Sequence, residues 1–297
     1  MNDLFSPRMS RKKSELILNP DGSVYHLHLK PENVAPLVLV VGDQERVKRI
    51  SSFFDRVDFK VQNREFCTHT GVYNNKPVTV LSTGIGCDNI DIVLNELDAA
   101  VNIDLQSGEV KSDLTSLNIV RLGTSGSLRK DVPTGSLLVS EAVIGLDGLL
   151  SFYDVEGSDR EKDLAEQYKK HMAWNSDFPG VYARFGSAEL IDCIAKGNSK
   201  GITVTAPGFY APQGRSLRLN TWDDAFHQKL QSFSFEGRPI TNFEMETSAL
   251  YGLGQALGHQ TASVCAIIAN RQTHEFLSDY SVLVDQMIEE MLHKLTA

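Results

Sequence analysis

The chain has 297 residues, of which 41% are hydrophobic, 8% aromatic and 23% charged, the balance of a globular protein with ample chain for a continuous core. Its net charge of −9 argues against a general nucleic-acid binder, which would carry a basic face, so an anionic ligand must be held by a local arginine cluster against the overall field. Four cysteines without CxxC spacing (Cys67, Cys87, Cys193, Cys265) argue against a disulfide framework or a zinc site and read as reduced, mostly packed thiols.

Along the chain, Met1 to Asn19 is polar and carries Arg8, Arg11, Lys12 and Lys13. It lacks the apolar core of a secretory signal and reads as a flexible or partner-clasping extension ahead of a single domain over 20–297. Short apolar runs then recur, each closed by glycine or a polar turn. Leu37–Val41 ends at Gly42-Asp43, Val78–Leu81 at Ser82-Thr83-Gly84-Ile85-Gly86, and Asn118–Leu122 at Gly123-Thr124-Ser125-Gly126. Leu137–Val139, Ile202–Thr205 and Ala262–Ile268 complete the set, with a turn expected over Lys196–Gly201. Strands that are apolar throughout belong in a sheet covered on both faces. Between them lies helical periodicity. Asp88 is placed to cap a helix whose apolar face is Ile90, Leu94, Leu97 and Val101, and a last helix carries Tyr280, Leu283, Val284, Met287, Ile288, Met291, Leu292 and Leu295. The alternation predicts an α/β sandwich, whose ligands bind beyond the carboxyl ends of the strands. No run approaches the roughly 20 apolar residues of a membrane span. A soluble, cytoplasmic protein is expected.

Three groups of residues carry candidate chemistry. In Asn242-Phe243-Glu244-Met245-Glu246-Thr247 two carboxylates lead into a small, apolar segment, where each must cap a helix or meet a ligand. Arg121 lies inside an apolar strand, and a guanidinium there needs a partner, whereas Arg46 and Arg64 read equally well as surface charges. Phe209 to Arg215 has the composition of a Gly/Pro-rich surface loop, though Gln213 offers a donor and an acceptor and Arg215 donors only. His26 and His28 have no third ligand nearby, so no metal site is expected. No segment matches GxxxxGK[ST], and Gly84-Ile85-Gly86 lacks the third glycine of a dinucleotide fingerprint.

Six motifs in order resemble the nucleoside phosphorylase superfamily, most of all its uridine phosphorylase branch. They are Gly42-Asp43-Gln44-Glu45-Arg46, Arg64-Glu65-Phe66, Ser82–Gly86, Arg121–Gly126, Asn242–Glu246 and Ala269-Asn270-Arg271. The resemblance covers about residues 24 to 295, with sparse support between 146 and 200. It implies a three-layer α/β/α sandwich around a central mixed, twisted, partly barrel-like sheet. It implies phosphate held by Gly42, Arg46, Arg121 and Thr124, with Arg64 reaching the same phosphate from a neighbouring subunit. Ribose then falls to His26 (across the interface), Met245 and Glu246, and the base to Phe209, Gln213 and Arg215. Arg121, Glu246, Gln213 and Arg215 become the catalytic set, Glu244 a supporting or capping group, and a homodimer, alone or assembled into a hexamer, the working unit.

The implied reaction is reversible phosphorolysis of uridine to uracil and ribose 1-phosphate, with phosphate as co-substrate and no cofactor. Purine phosphorolysis, nucleoside hydrolysis and inactive nucleoside binding stay open as alternatives. The purine branch's catalytic Asp would fall in Ile268-Ala269-Asn270-Arg271, which has no carboxylate. Some relatives hold a monovalent cation on a Glu, a carbonyl and a Ser. Glu65 and Ile85 match, but Asn89 stands where the hydroxyl would be.

Overall fold

A computed structural model describes residues 11–297, so residues 1–10 of the expected extension lie outside the described residues. Two compact units emerge: the chain up to Gly84 together with Asp91–Leu117, and Ile85–Ile90 together with Asn118–Ala297.

In the first unit the strands are β1 (Leu37–Val41), β2 (Arg56–Asn63), β3 (Phe66–Tyr73) and β4 (Lys76–Ser82), with helix α1 (Gln44–Ser51) after β1. β1 pairs in parallel with β4, and β4, β3 and β2 form an antiparallel meander. Val38 to Val41 of β1 are buried on both faces, as their unbroken apolar run requires. Asp43 caps α1, its carboxylate accepting from Arg46 N at 2.8 Å. Ahead of β1, Arg11 N donates to Gly108 O at 2.9 Å and Leu18 bridges Val24, so residues 11–24 are tied to their own unit.

Helix α2 (Cys87–Asn102) starts two residues earlier than a cap at Asp88 requires. Asp88 therefore does not cap it but lies in its first turn, where a carboxylate still favours the helix N-terminus. The predicted face is correct in detail: Ile90, Leu94, Leu97 and Val101 are all buried.

The second unit is built on a ring. Its strands are β5 (Asn118–Ser127), β6 (Leu137–Gly145), β7 (Tyr182–Phe185), β8 (Ser199–Thr205), β9 (Ser234–Phe235), β10 (Arg238–Glu244), β11 (Gln260–Asn270) and β12 (Glu275–Phe276). β5 pairs with both β10 and β11, and β11, β6, β8 and β10 follow one another, so five strands of mixed direction close on themselves. Helices α3 (Asp159–Met172), α4 (Ala188–Ile194), α5 (Phe226–Ser232), α6 (Thr247–Ala256) and α7 (Ser281–Thr296) flank it. The expected turn over Lys196–Gly201 is only half a turn, because β8 already begins at Ser199.

Closure brings polar side chains of four strands together. Ser140 Oγ meets Thr203 Oγ1 at 2.6 Å, Thr203 Oγ1 donates to Asn242 Oδ1 at 2.8 Å, and Asn242 Nδ2 donates to Ser125 Oγ at 2.8 Å. Ser125 Oγ in turn donates to the Phe243 carbonyl at 2.7 Å, so each buried polar group has a partner. Beside this seam an apolar cluster including Leu164, Tyr168, Val204, Phe226, Leu230, Ile240 and Phe243 forms the core. Among the described residues no helix is long and apolar enough to cross a membrane.

Candidate functional site

Side chains two apart on a strand share a face, which puts Arg121 over Gly123 on β5. A Cβ at Gly123 would sit 2.0 Å from Arg121 Nη1, so only glycine lets the guanidinium fold back there. Arg121 is thereby aimed at the start of α6. Its Nη2 pairs closely with Glu246 Oε2, its Nη1 lies 3.5 Å from Glu244 Oε2, and Nη1 also donates to Cys265 Sγ at 3.3 Å. All three groups are about 95% buried or more.

The two carboxylates do different work. Glu244 Oε2 accepts from Glu246 N at 2.9 Å, Thr247 N at 2.9 Å and Thr247 Oγ1 at 2.8 Å, and its other oxygen accepts from Thr205 Oγ1. Those are the orphan donors of a helix start, so Glu244 is the cap of α6. Glu246 accepts a single backbone bond, from Gly86 N at 2.8 Å, and otherwise faces Arg121. Gly86 reaches that position with φ +102°, which other residues rarely adopt.

Burial raises the Glu246 pKa above the ordinary carboxylate range; the Arg121 charge opposes the rise and Glu244 adds to it. Burial likewise disfavours the Arg121 charge, but attraction to Glu246 and Glu244 outweighs it and holds the guanidinium above its usual pKa. Cys265 is pushed up to about 11 by burial and stays a thiol at neutral pH. Met245 is half-buried with its carbonyl 3.4 Å from Cys87 Sγ, and Thr124 lies partly exposed three residues beyond Arg121 on β5.

Phe209, Gln213 and Arg215, expected to face the base, form a second cluster in the same unit. Arg215 Nη1 donates to Gln213 Oε1 at 2.6 Å and to the Phe209 carbonyl, and its guanidinium carbon stacks 3.7 Å from the centre of the Phe209 ring. Gln213 is buried while Phe209 is half exposed. Stacking fixes the guanidinium plane and one edge of the glutamine while leaving the Gln213 amide nitrogen as a donor.

Sequence reasoning quoted Arg271 as part of a motif but gave it no role. The structure puts its charge close enough to act on both Arg215 and His227. Arg271 Nη2 is buried without a hydrogen-bond partner. Burial first, and then the Arg271 charge, lower the Arg215 pKa to about 10, so the group stays charged at neutral pH. Burial also lowers Arg271 and, with the two arginines, His227. The signal for Arg271 was its neighbour: Asn270 holds the turn, donating to the Arg129 and Val132 carbonyls and accepting from Gln272 N and Thr273 N.

In the first unit, Gly42 closes β1 and Arg46 Nη2 lies 3.1 Å from Asp43 Oδ2. Arg64 is exposed at the tip of the β2–β3 hairpin with φ 52°. Glu96 takes His26 Nδ1 at 2.6 Å and the backbone amides of His26 and Leu27 at 2.8–3.0 Å. The Glu96 carboxylate therefore fixes the orientation of the His26 ring. Of the expected cation ligands, Glu65 is exposed on the hairpin, and the Ile85 carbonyl accepts from Asn89 Nδ2 at 3.3 Å. Where a hydroxyl is expected, Asn89 thus turns its N–H toward the Ile85 carbonyl.

Comparison with known proteins supplies a frame for this geometry. A family model described as the phosphorylase superfamily matches residues 36–296. The chain is similar to a uridine phosphorylase of Thermococcus kodakarensis, 32% identical over 259 residues covering 86% of this chain and 80% of that protein. It is also similar to a uridine phosphorylase of Haemophilus influenzae, 26% identical with 87% and 91% covered. Among solved structures, a Trypanosoma brucei nucleoside phosphorylase that shows uridine phosphorylase activity superposes with a TM-score of 0.85 at 29% identity, covering 94% of this chain and 99% of that one.

Proposed function

The chain belongs to the phosphorylase superfamily, and from that premise we propose that it is a uridine phosphorylase, converting uridine and inorganic phosphate reversibly into uracil and ribose 1-phosphate. The observation that carries this reading is the base-side cluster. Two guanidiniums and a glutamine amide converge there with no carboxylate ion-paired to either arginine among the described residues. Such a site fits a ring edge of carbonyl oxygens that gains negative charge as it leaves.

In the proposed mechanism phosphate is taken by Gly42, Arg46, Arg121 and Thr124, with Arg64 of the partner subunit completing it; the matches to family motifs support these roles. A phosphate oxygen forms the new bond to the anomeric carbon as the C–N bond breaks, and that electron pair leaves with the uracil ring. Positive charge on the sugar is met by Glu246, which together with Met245 and His26 holds the ribose. Gln213, Arg215 and Arg271 stabilise the uracil anion, Phe209 stacks on it, and a proton from solvent neutralises it. The buried Arg121–Glu246 pair thus splits its partners between the two substrates, phosphate taking the guanidinium and ribose hydroxyls the carboxylate.

Purine chemistry is the reading this geometry disfavours. The stretch in which an acid would protonate a purine, Ile268 to Arg271, has no carboxylate, and its Asn270 side chain is fully used in its own turn. With phosphate present, uridine should turn over at least tenfold faster than inosine, measured by release of free base; faster inosine turnover would overturn the assignment. We further propose a homodimer as the working unit, open to assembly into a hexamer, and a cytoplasmic setting, which four free thiols suit.

A further inference from the structure

Away from these residues, the second unit has a cavity of about 380 Å³ beside β7 and the start of α3. Its walls include Leu150, Val155, Ala165 and Tyr182, and its charged floor is Arg184. Alternation along β7 explains that floor. Ala183 joins the apolar core, so Arg184 faces the other way, yet it is only 5% exposed.

Arg184 is unusual for a buried guanidinium. Among the described residues its one hydrogen bond is from Nη1 to the carbonyl of its own neighbour Ala183, at 2.8 Å. Among the described residues no carboxylate lies within ion-pair distance of it, and its other nitrogens are not sealed in protein, so they open on the cavity it lines. The acidic groups around it are engaged elsewhere. Glu161 accepts from Ser158 N at 2.7 Å, Ser158 Oγ at 2.9 Å and Phe185 N at 3.1 Å. Glu156 pairs with Lys162 at 2.7 Å, and Glu166 with Lys169. A buried guanidinium outside any ion pair is costly even with the Tyr182 ring 5.9 Å from it and the Glu161 carboxylate beside it, and a guanidinium fork fits a carboxylate or phosphate head in bidentate fashion. Gly157 packs against the same group: a Cβ there would lie 2.7 Å from Arg184 Nη1.

We propose that this cavity is a second binding site, for a small organic oxyanion whose head pairs with Arg184 and whose apolar body lies against Leu150, Val155, Ala165 and Tyr182. The size suits it, since cavities of roughly 300 Å³ and upward take small organic ligands.

The test is ligand-observed fluorine NMR of 4-fluorobenzoate titrated against the full-length chain, with 4-fluorobenzamide as the uncharged control. Saturable binding of the benzoate is expected, at least tenfold tighter than the amide. Arg184→Met should weaken it at least tenfold. Gly157→Ala, which crowds the guanidinium without removing a charge, should weaken it too and decides the matter if Arg184→Met does not fold. Phe209→Ala, in the base-side cluster, should leave it unchanged. No saturable binding, equal affinity for the amide, unchanged affinity in folded Gly157→Ala, or loss in Phe209→Ala would each overturn the proposal.

Discussion

In the corner where β5 meets the start of α6, one guanidinium faces two carboxylates; in the cluster around Phe209, two guanidiniums are ion-paired to none among the described residues. Both lie in the same unit, and both consist of side chains that are costly to bury alone. The sugar-side corner is compensated internally: Arg121, Glu244 and Glu246 satisfy one another and the helix start. The base-side cluster is held by stacking and one glutamine oxygen, leaving positive charge and donors uncompensated. A compensated site can hold its geometry through the reaction and lend its charges to substrates. An uncompensated one waits for the charge that only the transition state supplies.

The contrast is broken most forcefully at Glu246. Glu246→Gln should lower turnover by on the order of 10²–10³-fold, the scale of losing one preorganised electrostatic contact. Glu244→Gln should instead act on folding, costing about 1–3 kcal/mol through the capping bonds it weakens, with turnover of the folded fraction within about tenfold of normal. Equal losses of turnover in folded samples would erase the division of labour between the two carboxylates. Thermal unfolding and steady-state kinetics on both variants check it.

On the base side, Arg215→Gln should lower kcat for uridine by about 10²-fold with KM little changed, because its charge matters most as the base departs. Phe209→Ala removes stacking felt equally by bound substrate and transition state. Its KM should rise by about tenfold at similar kcat, in keeping with ~1–3 kcal/mol for one base on an aromatic ring. A KM effect from Arg215 and a kcat effect from Phe209 would reverse the assignment.

The smallest effect expected is one of pH. Burial, Arg271 and Arg215 hold His227 below its ordinary 6.5, so the unfolded chain takes up the proton first as pH falls. Stability is therefore full above 6.5 and declines as pH drops from there toward the lowered folded-state pKa. Melting temperatures from about pH 5 to pH 7.5 should fall more steeply for the parent chain than for His227→Gln. Parallel curves would show that the two arginines do not act on the imidazole.

Much of this was legible from sequence, and the gaps have physical causes. Continuous apolar runs revealed β1, β4, β5 and β11, because strands covered on both faces need no alternation. The same search passed over β2, whose Val57, Phe59 and Val61 alternate with charged neighbours. It also passed over β10, where Pro239, Thr241 and Asn242 look unlike a strand until ring closure gives their polar groups partners. At the site, Arg121 was betrayed by its apolar surroundings. The pairing of Arg121 with Glu246 was not, since 125 residues separate them. Arg271 escaped for a related reason: an arginine next to a turn looks like a surface charge, and only the fold sets it beside Arg215.

Phosphate on Arg121 with ribose on Glu246 is the core of the proposed reaction, and a phosphate titration decides it. With saturating uridine, uracil and ribose 1-phosphate are measured as phosphate is raised from none. The account predicts background release without phosphate, saturable release with it, and equal amounts of the two products. Uracil released at an undiminished rate in phosphate-free buffer, with free ribose as the partner product, would contradict it.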